Sequence, residues 1–143
     1  MKESIAVISD IHGNIDALEA VLHDIDYNTD ISSIYCLGDL IGIGPYTNEV
    51  LDSIFFRENI HVVSGNHEEA VLALIQGTPY PTRSEKVRTH HEWVAEYMNP
   101  DFIPRLASLP RRMTIELGDL KSLMPTLSYE VRKYRCAHRA KPF

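Results

Sequence analysis

Three apolar runs recur at similar intervals in the first half of the chain: residues 5–9, 34–37 and 60–64. Each run is short and continuous, which predicts a buried β-strand. After each run, apolar residues recur three and four positions apart, as on the inward face of an amphipathic helix. Strands that alternate with helices in this way are parallel, because each helix returns the chain to the same edge of the sheet. We therefore predict an α/β fold with a mostly parallel sheet and flanking helices.

The same periodicity predicts which helical residues fill the core. The inward positions of the first three helices are Leu18, Val21, Leu22, Ile25, Val50, Leu51, Ile54, Phe55, Ala70, Val71, Leu74 and Ile75. A fourth predicted helix, capped by Ser84, bears Val87, His91, Val94 and Met98. Asn99 is predicted to cap a short helix that has Pro100 at its first position. Clean alternation over residues 113–117 predicts a half-buried strand.

A polar motif follows each of the three apolar runs. The motifs are Asp10-Ile11-His12-Gly13-Asn14, Gly38-Asp39 and Gly65-Asn66-His67-Glu68. The carboxyl ends of parallel strands meet at one edge of a sheet, so two Asp, one Asn and two His are expected in one crevice. Oxygen and imidazole ligands without thiolate suit Mg, Mn, Fe or Zn.

Each of these residues also has a purely structural interpretation. Taken singly, Asp10 and Asp39 are well explained as helix caps or turn formers, and Asn66 as a residue that tolerates a left-handed backbone. Three polar motifs at successive strand ends nevertheless favour a functional site. Glu68 is interpreted as a first-turn residue that favours the helix dipole. The dinucleotide-binding glycine pattern is absent from the sequence, which argues against a Rossmann dehydrogenase.

Composition limits the class of protein. A chain of 143 residues with 44% hydrophobic and 24% charged residues suits one soluble domain. Two cysteines are too few for a disulfide framework, so a reducing cytoplasm is expected. No apolar run is long enough to span a bilayer, and no signal-peptide pattern precedes the first strand. The net charge of −6 argues against nonspecific nucleic-acid binding.

The charge is unevenly distributed. Residues 1–120 carry 8 Lys+Arg and 19 Asp+Glu, whereas residues 121–143 carry 6 Lys+Arg and 1 Asp+Glu. Residues 122–143 show no sustained helical or strand period. We therefore divide the chain into a folded portion, 1–120, and an atypical basic tail, 121–143. The tail is interpreted as disordered or as translated out of frame.

The three motifs, in this order, resemble the calcineurin-like metallophosphoesterases, and the resemblance covers residues 4–117. It implies a four-layer α/β/β/α sandwich, of which this chain holds the first half. It also implies hydrolysis of phosphate mono- or diesters by a hydroxide that two divalent metals activate. Manganese is the first choice of metal, with Fe, Zn, Mg or Ni as alternatives. Nucleotides, phosphodiesters and phosphoproteins all remain open as substrates.

The resemblance also assigns roles to individual residues. Asp39 bridges the two metals, Asp10 and His12 hold one of them, and Asn66 holds the other through its amide oxygen. His67 is the catalytic residue that protonates the leaving oxygen. His90 and His91 are expected to be surface histidines by default. The alternative is that one of them reaches the mouth of the site, where the family places residues that contact substrate.

The chain departs from the family pattern near Lys121. Related sequences continue with His-Gly and Gly-His-x-His motifs that supply further metal ligands, whereas here only His138 follows. The alternative interpretation is therefore an inactive truncated fragment, or a module that binds metal or nucleotide without turnover. An unfinished sheet would also leave an open edge, which favours self-association into a homo-oligomer.

Overall fold

A computed structural model describes residues 4–81, 84–117 and 120–125. Three parallel strands, β1 (Ser4–Ile8), β2 (Ile31–Cys36) and β3 (Ile60–Val62), form a sheet in the order β1-β2-β3. The helices are α1 (Ile15–Tyr27), α2 (Thr47–Phe55), α3 (Asn66–Gln76), α4 (Glu85–Tyr97) and α5 (Ile103–Ala107), with a 3₁₀ turn at Pro100–Phe102. Two antiparallel strands, β4 (Arg112–Leu117) and β5 (Leu120–Pro125), form a separate hairpin. The predicted α/β fold with a parallel sheet is confirmed.

Local sequence signals explain where the helices begin and end. The side chain of Asn14 accepts a hydrogen bond from the backbone N–H of Ala17, 3.1 Å away, and so caps α1. Asn99 caps the 3₁₀ turn in the same way, and Pro100 follows it at the first position as predicted. Gly77 ends α3 in the left-handed conformation, which costs glycine no steric energy.

The core lies where the helices cover the central strand β2. Ile34 and Cys36 on β2 are fully buried, and all four predicted inward positions of α2 are buried as well. Burial raises the pKa of the Cys36 thiol to about 12, so this cysteine is an inert part of the core. The regular 3–4 spacing of α2 therefore predicted its inward face correctly.

Two predicted core positions, one on a strand and one on a helix, prove to be exposed. Val7 on β1 is 46% exposed and Val21 on α1 is 43% exposed. Strand β1 pairs only with β2 and therefore lies at the edge of the described sheet. The apolar run over residues 5–9 predicted a strand correctly, but its burial was overestimated because periodicity does not distinguish an edge strand from a central one.

The hairpin crosses the predicted boundary at residue 120. Strand β5 begins at Leu120 and pairs with β4 in regular register through Pro125. The interpretation of residues 122–125 as lacking a strand is therefore wrong. The predicted division into 1–120 and 121–143 stays a prediction, and residues 126–143, with His138, lie outside the described residues. Among the residues the structure describes, no helix is both long enough and apolar enough to cross a membrane.

The buried face of α2 yields a stability prediction. Ile54 is fully buried, so Ile54→Ala removes core contacts and leaves a cavity. We expect the free energy of unfolding to fall by about 2–5 kcal/mol, measured by urea denaturation. Val21→Ala, on the exposed side of α1, is the control and should change it by about 0.5 kcal/mol or less. Equal losses in the two variants would contradict the assignment of the core.

Candidate metal centre

Asp10, His12 and Asp39 converge at the carboxyl ends of β1 and β2. Each offers one ligand atom, and these atoms all lie within 4.8 Å of one another. The Nε2 atom of His12 is 3.5 Å from a carboxylate oxygen of Asp10. Asp39 is buried, His12 is half-buried and Asp10 is exposed, so the group opens to solvent on one side. Two carboxylates and an imidazole are a donor set that suits a divalent cation.

All three residues adopt a left-handed backbone conformation. Their φ angles are 57° for Asp10, 50° for His12 and 55° for Asp39. This conformation is uncommon for residues other than glycine, although Asp and His tolerate it better than most. It turns the backbone sharply at the end of each strand, where the three side chains meet.

Hydrogen bonds between the two loops hold this conformation. The N–H of Asp10 donates to Gly38 O at 3.2 Å, and the N–H of His12 donates to Asp39 O at 2.9 Å. The N–H of Gly13 continues the series by donating to Leu40 O at 2.8 Å. The backbone pairing of β1 with β2 is thus prolonged beyond the regular strands into the site.

Gly65 allows the Asp39 carboxylate to approach the start of α3. A Cβ atom on Gly65 would lie 2.2 Å from Asp39 Oδ1, which is closer than any real contact. The same Oδ1 accepts a hydrogen bond from the backbone N–H of His67 at 3.1 Å. The first turn of α3 therefore points a backbone donor at the carboxylate, as the positive end of a helix dipole favours.

Glu68 is the most heavily bonded side chain near the site. It is fully buried, and its Oε1 accepts from the N–H groups of Leu40 at 2.8 Å and Ile41 at 3.1 Å. Its Oε2 accepts from Asp39 at 2.9 Å and Gly65 at 2.6 Å. Burial raises the pKa of Glu68 to about 7, while the hydrogen bonds from the backbone act in the opposite direction. The interpretation of Glu68 as a dipole residue was too weak, since the side chain joins the loop after β2 to the start of α3.

His67 lies between the metal-ligand group and a second histidine. Its ring meets that of His12 edge-on, with centroids 4.7 Å apart. Its Nδ1 is 2.8 Å from Nε2 of His91, whose Nδ1 is in turn 2.6 Å from the hydroxyl of Tyr80. Desolvation is the main cause that lowers the pKa of His67. Burial and the neighbouring histidines lower the pKa of His91 to about 4, so that ring is neutral at pH 7.

His91 is the residue that sequence reasoning missed. It is 2% exposed and hydrogen-bonded to the candidate catalytic histidine, so the expectation of a surface residue was wrong for it. Its place three residues before Val94 and seven before Met98, which are both buried, was the available signal. Asn66, the first residue of α3, lies beside His67 on the wall of a neighbouring cavity that His90 and His91 also line. Its role as a metal ligand stays a prediction.

The family model for calcineurin-like phosphoesterases matches residues 3–141. The chain belongs to the calcineurin-like phosphoesterase family. An uncharacterized protein of Methanocaldococcus jannaschii is 50% identical over 72 residues, which are 50% of this chain and 29% of that protein. A symmetrical bis(5'-nucleosyl)-tetraphosphatase of Delftia acidovorans is 34% identical over 79 residues, which are 54% of this chain and 28% of that enzyme.

Two solved structures agree with the fold. A metallophosphoesterase from Sphaerobacter thermophilus superposes with a TM-score of 0.62 at 32% identity, covering 81% of this chain and 44% of that one. A Pyrococcus horikoshii protein superposes with a TM-score of 0.70 at 22% identity, covering 83% of this chain and 52% of that one, which supports the fold alone. The match to these two curated relatives spans less than a third of their length, and the match to the two solved structures about half.

The buried carboxylate yields a prediction for Glu68→Gln. Glutamine keeps the shape but replaces one acceptor oxygen with an NH₂ group that faces backbone N–H donors. We expect the free energy of unfolding to fall by about 2–4 kcal/mol, because buried donors lose their acceptor. Urea denaturation of the metal-free chain measures this directly.

Glu69→Gln is the matched control. Glu69 is the next residue on the same helix, and its carboxylate pairs at 2.7 Å with the largely exposed Arg111. Removing a surface ion pair should cost about 1 kcal/mol or less. An unfolding free energy for Glu68→Gln no lower than that of Glu69→Gln would show that the buried carboxylate is not required.

Proposed function

We propose that this chain is a metal-dependent phosphoesterase that hydrolyses nucleotide phosphate esters. The observation that carries the proposal is the convergence of Asp10, His12 and Asp39 within 4.8 Å, with His67 in ring contact beside them. Membership of the calcineurin-like phosphoesterase family supports the reaction class. Manganese as the metal and a cytoplasmic location stay predictions from the sequence.

The ligand assignment is part of the proposal. Asp10 and His12 would hold one divalent cation, Asn66 would hold a second, and Asp39 would bridge the two. Asp39 suits bridging because it is buried at the centre of the group and has two oxygens. Divalent cations supply a Lewis acid for the phosphoryl oxygens and lower the pKa of bound water. Carboxylate and imidazole donors fit such ions, and no thiolate is needed.

His67 and the start of α3 would act on the substrate itself. A phosphate beside His67 would meet the N-terminus of an 11-residue helix, where backbone N–H groups and the dipole favour an anion. His67 would serve as the donor to the leaving oxygen, which gains negative charge as the ester bond breaks. The side chain need not bind metal to do this, since its Nδ1 is already bonded to His91.

The adjoining cavity suits the nucleoside part of a nucleotide. It has a volume of about 750 Å³ and joins His67 to apolar side chains of Ile43 and Val87. Such a size lies within the range of small-molecule sites. Lys86, on the same wall, carries a positive charge that would attract a polyphosphate chain. Relatives named as symmetrical bis(5'-nucleosyl)-tetraphosphatases support a dinucleoside polyphosphate as the first substrate to test.

The ligand assignment predicts the effect of Asp39→Asn. We expect the bound Mn²⁺ per chain to fall and the metal affinity to drop by about 100-fold or more, since even outer-shell partners cost 10- to 100-fold. Isothermal titration with Mn²⁺ and hydrolysis of bis(p-nitrophenyl) phosphate measure the two effects. Asp52→Asn, an exposed carboxylate on α2, is the control and should change neither. Equal metal affinity in the wild type and Asp39→Asn would contradict the assignment. Stoichiometric metal binding without any phosphate release would favour the alternative of a binding module.

The cavity predicts a substrate-dependent effect of Lys86→Gln. Loss of the charge should raise KM for diadenosine tetraphosphate by about 10-fold, because a charge-assisted contact to phosphate is worth about 1.5–3 kcal/mol. KM for p-nitrophenyl phosphate, which does not reach along the cavity, should stay within about twofold. Arg88→Gln is the control for charge alone, because Arg88 is a nearby residue of α4 whose guanidinium pairs with Glu92. An equal effect on both substrates would contradict the cavity as the nucleotide site.

A further inference from the structure

Three side chains form a continuous hydrogen-bonded chain that ends at the candidate catalytic histidine. The hydroxyl of Tyr80 is 2.6 Å from Nδ1 of His91, and Nε2 of His91 is 2.8 Å from Nδ1 of His67. The two imidazole planes are nearly perpendicular, at 88°, with centroids 4.9 Å apart. Tyr80 comes from the loop after α3 and His91 from the buried face of α4. Tyr80 and His91 therefore reach the site from outside the three sequence motifs.

With both imidazoles neutral, proton counting allows only two arrangements of these hydrogen bonds. A neutral imidazole has one N–H donor and one bare nitrogen that accepts. In the first arrangement Tyr80 donates to His91, His91 donates to His67, and His67 carries its proton on Nε2. In the second arrangement every hydrogen bond is reversed, and Nε2 of His67 is bare. The two arrangements give His67 opposite properties toward a substrate.

Acidity at the Tyr80 end favours the first arrangement. A phenol, with an ordinary pKa of about 10, is a much better donor than the N–H of a neutral imidazole. Desolvation raises the pKa of Tyr80 further, so the phenol keeps its proton at neutral pH. The short distance of 2.6 Å to His91 Nδ1 is that of a strong O–H donor to a bare nitrogen. His91 is also neutral, because burial lowers its pKa to about 4.

The His67 ring has little freedom to choose another partner. A Cβ on Gly42 would lie 2.4 Å from Nδ1 of His67, so the glycine makes room for the ring in this position. The rings of His12 and His91 contact it edge-on, with centroids 4.7 and 4.9 Å away. With Nδ1 bonded to His91, Nε2 is the nitrogen that remains available to a substrate.

We propose that Tyr80 and His91 are positioning residues that hold His67 as the neutral tautomer with its proton on Nε2. His67 then presents its Nε2–H as the donor to the phosphoryl or leaving oxygen of the ester. The effect on the substrate rests on the proposed function, whereas the tautomer itself does not.

Nitrogen NMR of the metal-free full chain tests the tautomer directly. Uniformly ¹⁵N-labelled protein at pH 7.5 should show His67 and His91 both protonated at Nε2 and bare at Nδ1, in long-range ¹H–¹⁵N correlation spectra. Tyr80→Phe should move the His91 Nδ1 resonance toward that of an unbonded nitrogen, because its donor is lost. Protonation of His67 at Nδ1 in the wild type, or a mixture of its two tautomers, would overturn the proposal. So would unchanged His91 resonances in Tyr80→Phe.

Kinetics test the consequence at the substrate. With His91→Leu, kcat should fall by about 10- to 100-fold, as for other outer-shell partners of catalytic groups, while KM stays within about threefold. His91→Gln should recover most of kcat, because its amide can donate to Nδ1 of His67. Tyr80→Phe should lower kcat by about 3- to 10-fold, the size of one hydrogen bond. His23→Gln, an exposed histidine on α1, is the matched control and should leave kcat unchanged.

The two experiments separate the possible failures. No hydrolysis by the wild type, together with the expected tautomer, would defeat the proposed function and leave the hydrogen-bonded chain intact. Hydrolysis with an equal loss of kcat in His91→Leu and His91→Gln would overturn the positioning role, because a donor in place of the imidazole would then have no value. A melting temperature for His91→Gln close to that of the wild type ensures that the comparison concerns folded protein.

Discussion

The geometry of the site depends on the buried carboxylate of Glu68. On the β1 side, the loops that carry Asp10 and Asp39 are joined by ordinary backbone hydrogen bonds, which continue the sheet. On the β3 side such bonds stop, because the regular pairing of β2 with β3 ends at Cys36 and Val62. Glu68 takes their place by accepting hydrogen bonds from four backbone N–H groups, three in the loop after β2 and one at Gly65. One side chain therefore lets the strands diverge without leaving buried donors unpaired.

The same hydrogen bonds also hold the strained backbone of the candidate metal-ligand group in place. Three residues other than glycine hold left-handed conformations there, and each costs on the order of 1–3 kcal/mol unless the surroundings enforce it. The hydrogen bonds from His12 to Asp39 O and from Asp39 N–H to Glu68 enforce it from both sides. These three residues are the candidate ligand residues, and a fourth left-handed residue, Ile43, lies in the loop that follows Asp39. The burial of apolar side chains around β2 and α2 offsets the free-energy cost of this strain.

The sequence predicted the elements and the convergence of the motifs, because both follow from local rules. Strand–helix periodicity and polar residues at strand ends need only the geometry of parallel sheets to be interpreted. The burial of Val7 was mispredicted because sheet order, which leaves β1 at an edge, is not a local property. Glu68 was underestimated for a similar reason, since three of its four donors lie 27 to 29 residues away along the chain. His91 was expected at the surface, because its partner is set by how α4 packs against α3.

The docking of α4 on α3 therefore has two consequences at once. It brings His91 to His67 and so fixes the orientation of the ring beside the ligand group. It also encloses the neighbouring cavity, whose wall is shared by His67 from α3 and by Lys86 and His91 from α4. A shift of α4 would change the shape of the cavity and the hydrogen bond to His67 together. Under the proposed function, substrate selection and the hydrogen bond that His67 donates would thus be coupled through one helix that lies outside the three motifs.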